Sequence, residues 1–291
     1  MKVANLVKKS SEKLKIGIIG YGRMGSSLID GAIRSGSISP DLVLIYDTDA
    51  KRSELAKEKS LKTASSIEEI ASCDVVILAV KPKDMPQLLE NLGRVMKASP
   101  NFKPLILSIA AGVRLSTLRS ALGGYSRIVR AMPNIAASVN ESTSVFVPSN
   151  KITEEDLVIV KSILESVGLA FMVRDESLLD VVTGIVGSGP AYFFLLMKIM
   201  EEVGIKYGLS RDLIRQMVAQ TCKGSGKMAL LSKDSFEQLI NAVASPGGTT
   251  EEALKIMNSK GFTEIVSQAI SAAIERSKRM APSAPTPPPH T

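Results

Sequence analysis

The chain has 291 residues, of which 45% are hydrophobic and 22% charged, and its formal net charge is +7. This composition excludes a disordered or fibrous chain, and the length allows one large domain or two of ordinary size. The longest uninterrupted apolar runs, such as 75–80 and 191–197, are too short to span a membrane. Residues 1–15 lack the apolar segment of a secretory signal, and Cys73 and Cys222 stand alone. We therefore expect a cytoplasmic protein that has no membrane partner.

Histidine chemistry is excluded because the only histidine is His290, which lies in a proline-rich segment. A Ser-His-Asp triad, a Cys-His pair and a histidine-based zinc site all need an imidazole that the rest of the chain lacks. We expect no metal site.

The positive charge lies at the two ends of the chain. Residues 1–15 carry a net charge of +4 and residues 276–291 carry +3, while the intervening 260 residues hold 28 basic and 28 acidic side chains. This distribution favours a charge-neutral body and no nucleic-acid partner. Binding of a polyanion is an alternative that depends on the basic ends alone.

Within residues 14–174, short β-branched runs alternate with segments of helical length. The runs predict strands at 14–19, 42–46, 75–80, 105–109, 127–130, 142–147 and 170–173. Helices are predicted at 24–35, 50–59, 84–98, 115–122 and 153–166. This alternation predicts an α/β domain with a doubly wound parallel sheet.

After residue 175 the pattern becomes helical, with helices predicted at 191–207, 213–231, 236–243, 250–257 and 263–280. Several are apolar on more than one face, which a bundle of about 105 residues cannot cover by itself. We predict that the domain at 175–280 packs against another subunit, in a homodimer or a higher homo-oligomer. Packing against the first domain only is the alternative. Residues 1–13 form a basic extension, and 281–291 are predicted to be a disordered tail.

The clearest motif follows the apolar segment KIGIIG and opens a predicted helix; it comprises Gly20, Tyr21, Gly22, Arg23, Met24 and Gly25. Gly20 permits a tight turn, Gly22 lets the backbone approach a pyrophosphate, and Gly25 lets the helix pack closely on the sheet. Phosphates bind readily at a helix N-terminus. The motif therefore predicts a dinucleotide cofactor.

Asp47 ends the next predicted strand, 22 residues after Gly25. A carboxylate here accepts hydrogen bonds from both ribose hydroxyls of NADH and repels the 2′-phosphate of NADPH. Lys51 and Arg52 follow closely and could neutralise that phosphate instead. NADH is favoured over NADPH, although both stay open.

Three more predicted strands end in segments that we expect beside the cofactor. Ligands of an open α/β sheet lie outside the carboxyl ends of its strands. Two of these segments are expected to face the nicotinamide half, and they consist of Ala79, Val80, Lys81 and Pro82 and of Ser108, Ile109, Ala110, Ala111 and Gly112. The third segment, 130–134, ends with Asn134.

Two loops of the helical half combine hydroxyls with backbone N–H groups before a predicted helix. The first has the sequence GSGP at 187–190, and the second has the sequence SPGGTT at 245–250. Such loops suit a carboxylate ligand, and the alternative is a pair of helix caps that bind nothing.

Together these segments resemble the Δ1-pyrroline-5-carboxylate reductase family of proline biosynthesis. The motifs occur in the order IGIIGYGRMG, ILAVKP, SIAAGV, RAMPN, VTGIVGSGPAY and SPGGTT, and they span about residues 15–280. The resemblance implies a Rossmann domain followed by an all-helical dimerisation domain with interleaved subunits. It also implies reduction of a small cyclic imino acid with NADPH or NADH.

The resemblance implies roles for individual residues. Segments 79–82 and 110–112 would line the nicotinamide, and Ser66 stands where the family often has a cofactor-facing Asn. Thr250 would hydrogen-bond the ring nitrogen of the substrate and relay its proton, while Ser245 would help to fix the carboxylate. The residues expected at the substrate are Asn134, Ser188, Gly189, Ser245, Gly247, Gly248, Thr249 and Thr250.

The chain departs from the family pattern at a few positions. The family usually has Thr-Pro after RAMPN, where this chain has Ile135 and Ala136, and an acidic residue where this chain has Asn241. A related cyclic imine or a keto acid is therefore an alternative substrate. A nucleotide-binding regulator without turnover is a further alternative.

Overall fold

The structure is a computed structural model that describes residues 14–280. The basic extension and the proline-rich tail inferred from the sequence lie outside the described residues, and so does His290. Contacts between Cα atoms divide the chain into two units. The first unit ends at Gly187 and resumes at Ala273, and the second unit is Ser188–Ala272.

One eight-stranded sheet forms the centre of the first unit, with the strand order β3-β2-β1-β4-β5-β6-β7-β8. The strands are β1 Ile16–Ile19, β2 Val43–Tyr46, β3 Lys62–Thr63, β4 Val75–Leu78, β5 Leu105–Ser108, β6 Ile128–Met132, β7 Ser142–Pro148 and β8 Gly168–Met172. Each predicted strand is present, and β3 was not predicted. The strand order reverses direction at β1, between β2 and β4, which is where ligands bind in such sheets.

The sheet departs from the prediction at one pair, because β7 runs antiparallel to β6. A parallel pair needs a crossover of a dozen or more residues. Only the short 3₁₀ segment Ile135–Val139 lies between these strands, and Asn140 reverses the chain with a left-handed φ of 59°. The connection is therefore long enough for an antiparallel return only.

Helices cover both faces of the sheet. They are α1 Arg23–Arg34, α2 Ala50–Glu58, α3 Ile67–Ala71, α4 Met85–Ala98, α5 Leu115–Ala121, α6 Glu154–Glu165 and α7 Leu178–Val182. Strands β1, β4 and β5 are buried at every position, and one apolar cluster lies on each side of the sheet. Burial on both faces explains the continuous apolar runs of the sequence.

The remaining helices are α8 Gly189–Lys206, α9 Arg211–Leu231, α10 Phe236–Val243, α11 Thr249–Ser259 and α12 Phe262–Met280. Within the second unit, α8 packs against α9, where a Cβ on Gly204 would lie 2.5 Å from the side chain of Ile214. The larger apolar side chains stay exposed; Phe193, Phe194 and Leu195 are 58–61% exposed. Burying such side chains is a main source of stability, so this unit presents an incomplete core.

One helical stretch of the described residues, Leu178–Lys206, is long and apolar enough to cross a membrane. A π-helical turn at Thr183–Gly187 joins α7 to α8 within it. Length and composition do not distinguish a membrane span from a helix that packs against other helices.

Candidate active site

The glycine loop between β1 and α1 is shaped by two close approaches of the backbone. Gly20 has φ of +101°, and a Cβ on it would lie 2.8 Å from the carbonyl of Ala79. A Cβ on Gly25 would lie 2.1 Å from the carbonyl oxygen of Gly20. Both positions therefore require glycine.

Gly22 differs from its neighbours, because a Cβ there would meet nothing within 4 Å. No side chain of the described chain caps α1, which begins at Arg23. Open space beside uncapped helix N–H groups fits the pyrophosphate of a dinucleotide. The loop thus provides room and donors for the cofactor that the sequence predicts.

Backbone hydrogen bonds hold the neighbouring strand ends in line with this loop. The N–H of Gly20 donates to the carbonyl of Tyr46 at 2.8 Å, and the N–H of Ala79 donates to the carbonyl of Ile19 at 2.8 Å. Since β1, β2, β4, β5 and β6 are parallel, their carboxyl ends meet at one edge. The predicted segments 20–25, 79–82 and 110–112 and residues Asp47 and Asn134 all follow strands at this edge.

Asp47 joins the glycine loop to the turn after β2. Its Oδ2 accepts the backbone N–H of Tyr21 at 2.7 Å, and its Oδ1 accepts the N–H of Asp49 at 2.9 Å. Each carboxylate oxygen keeps a second acceptor site. The side chain therefore has a structural role beside any contact with a ribose.

The side chain of Tyr21 points away from the open space and is fully buried. Its hydroxyl donates to Asp30, which also pairs with Lys59, and the ammonium of Lys59 lies 5.6 Å from the Tyr21 ring centre. Burial raises the pKa of the Tyr21 hydroxyl, and the hydrogen bond to Asp30 raises it further. Tyr21 thus anchors the glycine loop to α1 and to the residue that follows α2.

Two further residues are predicted to contact the cofactor, Ser66 and Lys81. Ser66 caps α3, where its hydroxyl accepts the N–H of Glu69 at 3.5 Å. Lys81 is exposed after β4 and makes no ion pair with any other described residue. Its ammonium is therefore available to an anionic ligand.

Asn134 is buried, and both ends of its amide are engaged. The Nδ2 group donates to the carbonyl of Val186 at 3.3 Å, and Oδ1 accepts the N–H of Ala136 at 3.2 Å. These bonds connect the end of β6 to the π-helical turn that precedes α8. Proline at position 136 would remove that N–H, so this use of Oδ1 depends on Ala136.

Ser188 and Gly189 begin α8, directly after that π-helical turn. Ser188 is the N-cap residue of α8, and its side chain makes no capping bond. A Cβ on Gly187 would lie 2.6 Å from Cε of Met132, so the turn approaches the end of β6 closely. Turns of this kind are frequent at functional sites.

The SPGGTT loop lies in the second unit and opens α11, which no side chain of the described residues caps. The N–H of Gly247 donates to Oε2 of Glu251 at 2.8 Å, and the N–H of Gly248 donates to the carbonyl of Ser245 at 2.9 Å. Both glycine amides are therefore already used. Within the described chain, the amides and hydroxyls of Thr249 and Thr250 make no hydrogen bond.

One buried ion pair at this edge of the sheet was missed in the sequence. Arg130 in β6 is 3% exposed and donates to Oε1 of Glu176 at 2.8 Å. A charged residue inside an apolar strand rarely stays buried unless it is paired. That rule signals a partner for Arg130, although it does not identify Glu176, which lies 46 residues away.

No group of three His, Cys, Asp or Glu side chains among residues 14–280 could hold a metal ion. The groups that the site provides for ligands are the amides of the glycine loop, the segments that follow the strands and the N-termini of helices.

Both halves of the chain match families of known proteins. Residues 176–280 match the family model described as pyrroline-5-carboxylate reductase dimerisation, and residues 15–112 match the model described as NADP oxidoreductase, coenzyme F420-dependent. The chain is 37% identical over 269 residues to pyrroline-5-carboxylate reductase of Pseudomonas aeruginosa, covering 92% of this chain and 97% of that protein.

Two solved structures have closely similar folds. A pyrroline-5-carboxylate reductase of Coxiella burnetii has a TM-score of 0.84 and 32% identity, and the match covers 94% of this chain and 100% of that one. The pyrroline carboxylate reductase of Plasmodium falciparum with NADP bound has a TM-score of 0.83 and 32% identity, covering 93% and 99%.

Proposed function

The chain belongs to the pyrroline-5-carboxylate reductase family, and from this membership we propose that it is an oxidoreductase that reduces 1-pyrroline-5-carboxylate to L-proline. The observation that carries the proposal is the glycine loop, with its open space at Gly22, at the carboxyl edge of the sheet. A bound nicotinamide supplies the hydride. An imine that is protonated is already electrophilic, so the protein has to bind, orient and exclude water. These tasks need no histidine.

In the first unit, residues 20–25 hold the pyrophosphate through the amides of α1. Segments 79–82 and 110–112 hold the nicotinamide half, since both follow central strands of the sheet. The exposed ammonium of Lys81 adds a positive charge near the anionic ligands. Asn134 acts indirectly, because its amide holds the turn that leads to Ser188 and Gly189.

In the second unit, the start of α11 holds the substrate. The amides of Thr249 and Thr250 have no partner among the described residues, and they suit the substrate carboxylate together with the hydroxyl of Ser245. Gly247 and Gly248 shape this loop, and Gly247 has φ of +72°. The hydroxyl of Thr250 hydrogen-bonds the ring nitrogen and relays a proton to it from solvent water, so that the hydroxyl itself is restored.

The cofactor is NADH by preference. Asp47 carries the negative charge that repels a 2′-phosphate, and the guanidinium of Arg52 lies 4.0 Å from Asp49, which partly engages its charge. Lys51 makes no ion pair within the described residues and is the remaining cation for NADPH.

The helical part at 175–280 forms a homodimer or a higher oligomer. The exposed apolar side chains of α8 support this assembly, as does the match to a dimerisation family over 176–280. Residues 14–174 form the dinucleotide-binding domain in this proposal. The cytoplasmic location remains an expectation from the sequence.

The direct test is oxidation of NADH and of NADPH in the presence of 1-pyrroline-5-carboxylate. We expect oxidation that depends on the imine and yields proline. Thr250→Ala should lower kcat/KM by roughly ten- to a hundredfold, the effect of losing one hydrogen bond to a charged group. An unchanged kcat/KM would remove Thr250 from the mechanism, and tight NADH binding without turnover would favour the regulator.

A further inference from the structure

A single carboxylate oxygen joins two elements of the first unit. Oε1 of Glu176 accepts a hydrogen bond from Nη1 of Arg130 at 2.8 Å and another from the backbone N–H of Leu115 at 2.7 Å. Leu115 is the first residue of α5, and no side chain caps that helix locally. Glu176 therefore provides a cap from 61 residues away, at the helix end where a negative charge is favourable.

The capped residue directly follows the β5–α5 loop, residues 109–114, which contains the segment 110–112. The start of this loop is fixed by the N–H of Ile109, which donates to the carbonyl of Leu78 at 3.0 Å. Its middle is braced at Gly112, where a Cβ would lie 3.0 Å from the Cβ of Met280. Glu176 fixes its far end.

A second carboxylate one helical turn later supports the same loop. Oδ2 of Asp180 lies 3.3 Å from Nη2 of Arg114, and Oδ1 accepts the hydroxyl of Ser277 at 2.8 Å. Asp180 is 3% exposed, so its charge has little access to water. Asp180 therefore attaches the loop to α7 and to the end of α12, while Glu176 holds the residue that follows the loop.

We infer that Glu176 is a positioning residue, which holds the β5–α5 loop against the nicotinamide half of the cofactor. The inference rests on the proposed function, because it takes the loop to line the nicotinamide. Arg130 fixes the carboxylate, and the carboxylate fixes Leu115. Glu176 touches no reacting atom, so its loss should move the loop while leaving the pyrophosphate site at residues 20–25 intact.

The test compares two ligands that differ by the nicotinamide. NADH occupies the whole site, whereas ADP-ribose keeps the adenosine, the pyrophosphate and the second ribose and lacks only the nicotinamide ring. Calorimetry with Glu176→Ala should show the Kd for NADH raised about tenfold, the order expected for one lost charged hydrogen bond. The Kd for ADP-ribose should stay within about twofold of wild type, since that ligand lacks the nicotinamide ring that the loop is proposed to contact.

The conservative variant Glu176→Gln keeps an oxygen that can accept the Leu115 N–H. It should retain NADH affinity within about threefold and covers the case in which Glu176→Ala does not fold. The matched control is the ion pair between Asp156 and Arg127, the residue that precedes β6. There Asp156 is 1% exposed and accepts from Arg127 at 2.7 Å, just before the strand begins.

Asp156→Ala should lower Tm without changing the Kd of NADH or ADP-ribose, because it lies at the opposite edge of the sheet. Equal weakening of both ligands in Glu176→Ala would show a purely structural role and overturn the inference. Unchanged NADH binding in Glu176→Ala would also overturn it. A wild-type protein that binds neither NADH nor NADPH rejects the proposed function and the inference together.

Discussion

The two units use similar apolar side chains in opposite ways. In the first unit, β1, β4 and β5 are buried at every position, and apolar clusters cover both faces of the sheet. In the second unit, α10 and α11 contain no buried residue at all. A parallel sheet closes its core with its own crossover helices, whereas helices with several apolar faces need further surfaces.

This difference means that the first unit closes its core by folding, whereas the second unit needs assembly to do so. The first unit holds the loops that are proposed to bind the cofactor with contacts that it makes within itself. The second unit leaves Phe194 61% exposed and Leu231 76% exposed. The proposed oligomer would complete the core of the second unit and leave the first unit self-sufficient.

Phe194→Asp is the most severe test of this comparison. If a partner subunit covers α8, the variant buries a charge without a counterion, which costs several kcal/mol. We expect association at least about a hundredfold weaker, measured by sedimentation over a range of protein concentrations. NADH binding should persist, because the first unit is unaltered.

Val139→Asp is the matched control for that variant. Val139 is 67% exposed in the first unit, at the end of a short 3₁₀ segment. We expect no change in association. Dissociation by both variants, or by neither, would contradict the assignment of assembly to the second unit.

Gly25→Ala tests the first unit at a close backbone approach within the glycine loop. The added Cβ would lie 2.1 Å from the carbonyl oxygen of Gly20, so the loop must move, at a cost of about 3 kcal/mol. Thermal unfolding should show a lower Tm, and titration with NADH should show weaker binding.

Gly22→Ala provides the contrast, because its Cβ meets nothing. The variant should keep the Tm of wild type and still weaken NADH binding by about tenfold, since the methyl group occupies the space proposed for the pyrophosphate. A lower Tm in Gly22→Ala would mean that this glycine is needed for the stability of the fold.

The sequence was most informative where local chemistry determines the structure. Buried strands are apolar runs in the sequence, so the bounds of β1, β4 and β5 were predicted to within two residues. The glycine loop was predictable because its backbone geometry requires glycine. The fold class was confirmed by the structure and by the matches to solved reductases.

The parts that were missed depend on contacts between distant residues. The helix α7 and the π-helical turn at Thr183–Gly187 were not predicted. The turn contains two helix-breaking glycines, and the Asn134 amide bonds to it from 52 residues away. Glu176 pairs with Arg130 across 46 residues. Local patterns carry no information on such pairings, which only the folded sheet brings together.

Asp156 tests the stability of the first unit through pH. Burial alone would raise the pKa of Asp156, but hydrogen bonds from Arg127 and from the backbone of Thr153 outweigh it and hold the pKa below the usual Asp value. A depressed pKa in the folded state stabilises the protein above the usual value of about 3.9 and loses that effect on acidification.

Asp156→Asn should therefore reduce the free energy of unfolding by about 1–2 kcal/mol near neutral pH. The difference from wild type should shrink as the pH falls below the usual Asp range, because the wild-type carboxylate is then protonated. Urea unfolding at several pH values measures this. A difference that grows on acidification would contradict the assigned direction of the shift.

Asp47→Asn gives the smallest expected effect and separates cofactor choice from assembly. Asparagine keeps the shape and one acceptor oxygen, so it retains the hydrogen bond to one of the two N–H groups, those of Tyr21 and Asp49, while removing the charge that repels a 2′-phosphate. The ratio of kcat/KM for NADPH to that for NADH should rise by roughly tenfold, which corresponds to about 1.4 kcal/mol. Lys51→Gln in the same background should reverse part of the gain, since it removes the remaining cation. If the ratio stays constant while both cofactors weaken equally, Asp47 serves only to join the glycine loop to the turn after β2.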